Sequence, residues 1–183
     1  MTKESDARTI GYYTVVEEER TGWTGGLLVL NAAGRPLEFQ CTLPVRPSKA
    51  HEILYGATLR GHLVGDIIGP MLLKKLRTPL SILCCDQPES LSLDQHLSAP
   101  IALVDEAAEP QEGPITDDTL TGWAPTEFVG SRFWVAIEQL DAVDALAKKF
   151  IDLPDAVEPF DRIREAIKEA HSQIARRKPN EAA

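Results

Sequence analysis

Leu27-Leu28-Val29-Leu30-Asn31-Ala32-Ala33-Gly34-Arg35-Pro36-Leu37-Glu38-Phe39-Gln40-Cys41-Thr42-Leu43 decides the fold class. Leu27 to Leu30 is an unbroken apolar run, the pattern of a strand buried within a sheet. Asn31 to Gly34 supplies turn chemistry, with Gly34 free to take positive φ. Leu37 to Leu43 then alternates strictly. Leu37, Phe39, Cys41 and Leu43 share one face, and Glu38, Gln40 and Thr42 share the other. The stretch predicts a β-hairpin in a sheet covered on at least one side.

Working toward the N-terminus, Ile10 to Val16 reads as a preceding strand, and residues 1–8 as a disordered leader. Gly22-Trp23-Thr24-Gly25-Gly26 has neither the Gly-Lys-Ser/Thr end of a P-loop nor the Rossmann spacing, and reads as a strand lead-in.

Working toward the C-terminus, Pro44 and Pro47 end the hairpin. Ser48 is a natural N-cap for a helix that stops near Gly56. Leu59, Leu63, Ile67 and Leu72 mark a second helical segment that Pro70 splits or kinks, and Lys74, Lys75 and Arg77 suit the negative end of its dipole. Ser81 to Cys85 and Pro100 to Val104 are too short for helices and read as strands of the same sheet. Residues 105–120 are acidic, contain Pro110, Gly113 and Pro114, and show no apolar period, which predicts an exposed loop. Phe128 to Ile137 reads as a further strand, followed by helices over Ile137 to Phe150 and Pro159 to Arg177 and a frayed tail over 179–183.

This order predicts an α+β fold: a single domain over residues 9–178, with a largely antiparallel sheet of about five or six strands, helices packed on it, and a C-terminal helical pair. At 183 residues the chain can bury roughly 70% of its unfolded surface, so neither disulfides nor a metal is needed to hold a core. An odd three cysteines, Cys41, Cys84 and Cys85, agree with a reducing compartment. With no long apolar run and no apolar signal core, the expected location is cytoplasmic, with no membrane partner.

The net charge is −9, and it is unevenly spread. The 54 residues between Arg77 and Arg132 contain ten acids and no base, while the rest of the chain has 18 acids against 19 bases. An acidic chain disfavours the phosphate backbone, so no nucleic-acid partner is expected.

Candidate chemistry is sparse. Cys84-Cys85-Asp86 ends a buried strand, where alternation sends the thiols to opposite faces. A nucleophilic thiol would need a base brought by the fold from His51, His62, His96 or His171, and the sequence nearby supplies no cation to lower its pKa. Cys41, a vicinal cysteine and a histidine could bind zinc, although no Cys-x-x-Cys spacing occurs. His62 and Asp66 stand four apart, a spacing that lets an acid orient an imidazole or two groups chelate a metal, and that also describes a solvated surface pair. Arg46, Ser48 and Lys49 at a helix start form the candidate anion-binding set.

The reading these residues favour is a non-catalytic protein-interaction or scaffold module, possibly a homo-oligomer, whose partner is a protein or a second copy. No catalytic residue, metal ligand or cofactor is assigned. The alternative is a small enzyme with a cysteine nucleophile or a Cys/His-bound metal.

Overall fold

The computed structural model describes residues 8–105 and 120–177. Residues 1–7 of the expected disordered leader, most of the acidic 105–120 segment and the expected frayed tail lie outside the described residues.

The hairpin forms as its sequence dictates. β1 (Thr9–Glu18) and β2 (Gly22–Asn31) pair antiparallel, and β2 pairs with β3 (Pro36–Cys41) across the Asn31–Gly34 turn. Asn31 Oδ1 accepts the backbone N–H groups of Ala33 and Arg35 at 3.1 and 3.0 Å, and Gly34 takes φ 77°. An asparagine side chain thus closes a turn whose left-handed position only glycine fills cheaply.

The chain then leaves the sheet through α1 (Lys49–Tyr55), a short α2 (Leu59–Gly61), a π-helical segment (His62–Ile68) and α3 (Gly69–Lys75). Pro70 explains the change of helical register. It has no N–H to donate, and the helix shifts so that Gly69 N–H reaches back five residues to Val64 O, which also accepts from Tyr13 Oη at 2.6 Å. The expected split at Pro70 is therefore a π segment running directly into α3.

β4 (Ile82–Cys85) returns to the sheet, a 3-10 helix (Pro88–His96) follows, and β5 (Ile101–Val104) comes next. β6 (Trp123–Phe128) and β7 (Ser131–Ala136) form a second hairpin. A 3-10 turn (Ile137–Gln139), α4 (Leu140–Ala147) and α5 (Glu158–Arg177) complete the chain.

The architecture is α+β, with one correction. The sheet has seven strands in the order β3-β2-β1-β4-β5-β7-β6 and is mixed, not largely antiparallel, because β1–β4 and β4–β5 pair in parallel. β4 and β5 are buried at every position, as parallel strands covered on both faces must be. Apolar clusters lie on both sides. One joins Tyr12, Cys84, Phe133 and Val135 to Phe160, Ile163 and Ile167 of α5, and the other joins Tyr13, Cys85 and Trp134 to Leu63, Val64, Ile68 and Leu72. Gly25 and Gly26 of β2 admit both layers. A Cβ on Gly25 would collide with Ile68, and one on Gly26 with Ile163.

The apolar face predicted for the hairpin's second strand is not covered. Leu37 is 51% exposed, Phe39 40% and Leu43 76%, because β3 is the sheet's edge strand and α5 lies over β1 and β2.

Candidate functional site

β3 and the end of α3 build the first cleft. Glu38 and Gln40, on the polar face of β3, clamp the chain as it leaves α3. Gln40 Nε2 donates to Lys75 O at 2.9 Å and to Glu38 Oε1 at 2.6 Å, and the Glu38 carboxylate accepts Arg77 N–H at 3.2 Å and Thr78 N–H at 2.8 Å. Burial pushes the Glu38 carboxyl upward, but hydrogen bonds from Thr78, Gln40 and Arg77 outweigh it and bring the group down to about 2. Glu38 is thereby committed to holding backbone.

The cleft so framed, about 700 Å3, is lined by Leu37, Phe39, Gln40, Lys75, Arg77 and Thr78 around Glu38. Lys74, Lys75 and Arg77 make no ion pair among the described residues, whereas Arg60, Arg132, Arg162 and Arg164 each face a carboxylate. The cleft therefore sets two cations, Lys75 and Arg77, against the single carboxylate of Glu38, beside exposed apolar surface.

A second cleft, about 540 Å3, lies between the π segment and the 3-10 helix, lined among others by Tyr55, Arg60, His62, Asp66, Glu89 and Ser92. His62 Nδ1 stands 3.2 Å from Asp66 Oδ2, and the Tyr55 ring stacks on the imidazole at 4.2 Å with 17° between planes. Arg60 Nε donates to Glu89 Oε1 at 2.9 Å, and its guanidinium lies 5.7 Å from the Trp23 ring centroid. The i, i+4 spacing of His62 and Asp66 announced this pair.

Polar groups also gather where the C-terminal half of β1 lies beside the residues just past the end of β4. Asp86 pairs with Arg164 of α5 and accepts from Thr14 Oγ1 at 3.0 Å. Gln87 continues the ladder with its side chain, accepting Val15 N–H at 3.0 Å and donating to Val15 O at 2.8 Å. Thr24 Oγ1 and His171 Nε2 are 3.0 Å apart, with Glu18 Oε2 3.5 Å from His171 Nδ1. These contacts tie α5 to the sheet.

The structure places the candidate anion-binding residues as follows. Ser48 caps α1, accepting His51 N–H at 3.2 Å; Lys49 pairs with Glu52 at 2.9 Å; Arg46 Nε donates to Thr21 O at 3.0 Å. Cys84 and Cys85 are buried in β4, and burial pushes both thiols up. Cys85 Sγ lies 3.5 Å from Ala102 O. Neither has the surroundings of a nucleophile. Among the described residues no group of three or more His, Cys, Asp or Glu is placed to hold a metal, and no helix is long and apolar enough to cross a membrane.

No protein-family model matches the sequence, and no curated protein matches it. Solved structures do resemble it in fold. A variant of Ciona intestinalis endonuclease V in complex with a 23mer DNA containing an inosine followed by a ribo-adenosine gives a TM-score of 0.47 at 10% identity, covering 93% of this chain and 88% of that one. Human ENDOV gives 0.48 at 11% identity, covering 91% and 87%. Ciona intestinalis endonuclease V with a 24mer DNA gives 0.45 at 12%, covering 93% and 89%. At these values the likeness assigns no residue and no activity to this chain.

The comparison nevertheless corrects the expectation of a non-catalytic protein-interaction scaffold with no nucleic-acid partner. The similar structures are endonucleases, two of them holding DNA. The physical reason for the error lies in averaging. Net charge describes the whole chain, but the acidic excess sits between Arg77 and Arg132, and Glu106, Glu109, Glu112, Asp117 and Asp118 lie outside the described residues. Lys75 and Arg77 at the sheet edge share their cleft with one carboxylate alone, Glu38. Sequence reasoning assigned Lys74, Lys75 and Arg77 to the helix dipole and missed the cleft. The available signal was the lack of any acid three or four positions from each of them.

Proposed function

We propose that the chain binds a single strand of nucleic acid along the β3 edge. The observation that carries this is that Lys75 and Arg77, whose side chains make no ion pair among the described residues, line one cleft with the exposed Phe39 and Leu37 of an edge strand, with Lys74 next to them in sequence. Cations that track a backbone, next to an aromatic ring on which a base can stack, form a sequence-tolerant single-strand platform. The ionised Glu38 within the cleft offsets one of these positive charges, while its oxygens are turned to the backbone N–H groups of Arg77 and Thr78 and to Gln40. In this reading the protein acts in the cytoplasm.

Fluorescence anisotropy with labelled single-stranded 20mers tests the proposal, one of them carrying inosine because the DNA bound in two of the similar structures does. Counterion release predicts a slope near −0.7 per neutralised phosphate, hence about −2 for three cations in a plot of log affinity against log salt. The double substitution Lys75→Gln, Arg77→Gln should flatten the slope by more than half. Phe39→Ala should weaken binding about fivefold or more, from a stacking contribution of about 1 kcal/mol at least. No binding at low salt, or binding unchanged in the double variant, overturns the proposal. So does equal competition by polyglutamate, which would reveal an acidic-peptide site instead.

A further inference from the structure

The His62 cleft differs from the edge in charge and in chemistry. Its fixed groups are two carboxylates, Asp66 and Glu89, against the guanidinium of Arg60, so it does not attract a phosphate. Three observations point to proton transfer. Asp66 Oδ2, on a side chain 63% exposed, stands 3.2 Å from His62 Nδ1, a contact that favours the tautomer with its proton on Nδ1 and the basic lone pair on Nε2. Tyr55, stacked on the ring at 4.2 Å, fixes the imidazole plane. Nε2 itself has no hydrogen-bond partner among the described residues. The dyad begins a seven-residue π-helical segment, a rare geometry that recurs at functional sites.

Ser92 lines the same cleft but donates its hydroxyl to Glu89 O at 3.2 Å and makes no hydrogen bond to His62, so the serine is not an activated nucleophile. The proton donor available to Nε2 is water.

We propose that His62 is a general base, with Asp66 as its positioning residue, for hydrolysis of an uncharged carboxylic ester bound in this cleft. Nε2 takes a proton from water as the water oxygen bonds to the carbonyl carbon. The tetrahedral adduct then expels the alkoxide, the carbon–oxygen bond to the leaving group breaks, and the proton on Nε2 passes to that oxygen. The products are the acid and the alcohol, and His62 is returned neutral. The cleft's negative balance selects uncharged over anionic substrates, and this site stands independently of the nucleic-acid edge.

Steady-state hydrolysis of p-nitrophenyl acetate against p-nitrophenyl phosphate tests it, with His96→Gln as the variant that leaves the rate unchanged. The expected result is saturable turnover of the acetate alone, governed by one group that must be deprotonated. The rate should fall at least about 100-fold in His62→Gln, within the range of general-base catalysis. Asp66→Asn should lower kcat about tenfold and leave KM nearly unchanged. Circular dichroism melts should show both variants folded, and if His62→Gln does not fold, Asp66→Asn and the pH profile of the unaltered protein decide the matter. Turnover that never saturates, that survives His62→Gln, or that falls equally in His96→Gln overturns the proposal, since it would be the background of any exposed imidazole.

Discussion

Arg164 of α5 forms an ion pair with Asp86, the residue just past the end of β4, while Thr14 Oγ1 of β1 donates to the same carboxylate oxygen at 3.0 Å. One buried charge therefore joins two parallel strands to the helix that covers them. The carboxylate side chain is almost fully buried and the guanidinium is partly open, so the pair is strongest as a lock on α5 when both members are present. Removing one partner of a buried pair costs more than the pair is worth, because the remaining charge is stranded.

Arg164→Met should therefore destabilise the protein by about 3 kcal/mol. The Arg164→Met, Asp86→Asn double variant should recover part of that loss, because the buried carboxylate charge is removed with its guanidinium. Urea unfolding of both measures it; a single variant as stable as the parent would show that α5 is held by its apolar stripe alone.

Gly25 and Gly26 set how closely the two helical layers approach the sheet. Gly26→Ala would press on Ile163, and Gly25→Ala on Ile68. Each should cost about 1–3 kcal/mol through overpacking. Thermal melts of the two variants should both fall, whereas an alanine at Gly61, which meets open space, should not destabilise by collision.

The Glu38 carboxyl is lowered in the folded chain to about 2, from an ordinary value of 4.5. A depressed carboxyl contributes stability above its unfolded value and loses it as pH falls through the folded value. Stability should thus fall between about pH 4.5 and pH 2, and Glu38→Gln should flatten that part of the profile. Denaturant midpoints across this window provide the check, and an unchanged profile in the variant would mean that Glu38 does not fix the chain after α3.

Native-state alkylation should separate the cysteines. Cys41 is exposed, whereas Cys84 and Cys85 are buried with thiols pushed up by desolvation. Iodoacetamide should modify Cys41 first and leave the vicinal pair until the protein unfolds. Fast modification at Cys84 or Cys85 would contradict the packing described.

Local chemistry in the sequence reached as far as contacts between near neighbours. The Asn31–Gly34 turn, the Ser48 cap and the helix over Pro159 to Arg177 are each written in one continuous stretch, and each forms in the structure. β6 is not legible because Trp123 to Phe128 carries Pro125, Thr126 and Glu127 in a strand where only Phe128 is buried. The parallel pairing of β1 with β4 joins Ile10 to Ile82 across a helical layer, and no short-range pattern encodes such a register. The His62–Asp66 contact was legible because both residues lie on one helix. The β3-edge cleft was not, because Gln40 and Lys75 meet only once strand and helix are assembled.

Backbone amide shifts of isotope-labelled protein titrated with an unlabelled single-stranded 20mer show most directly where the strand lies. The account predicts progressive, salt-sensitive shifts at Leu37, Phe39, Gln40, Lys74, Lys75 and Arg77, with little change around Arg46, Ser48 and Lys49. Shifts centred on the start of α1, or none at any residue under low salt, would contradict it.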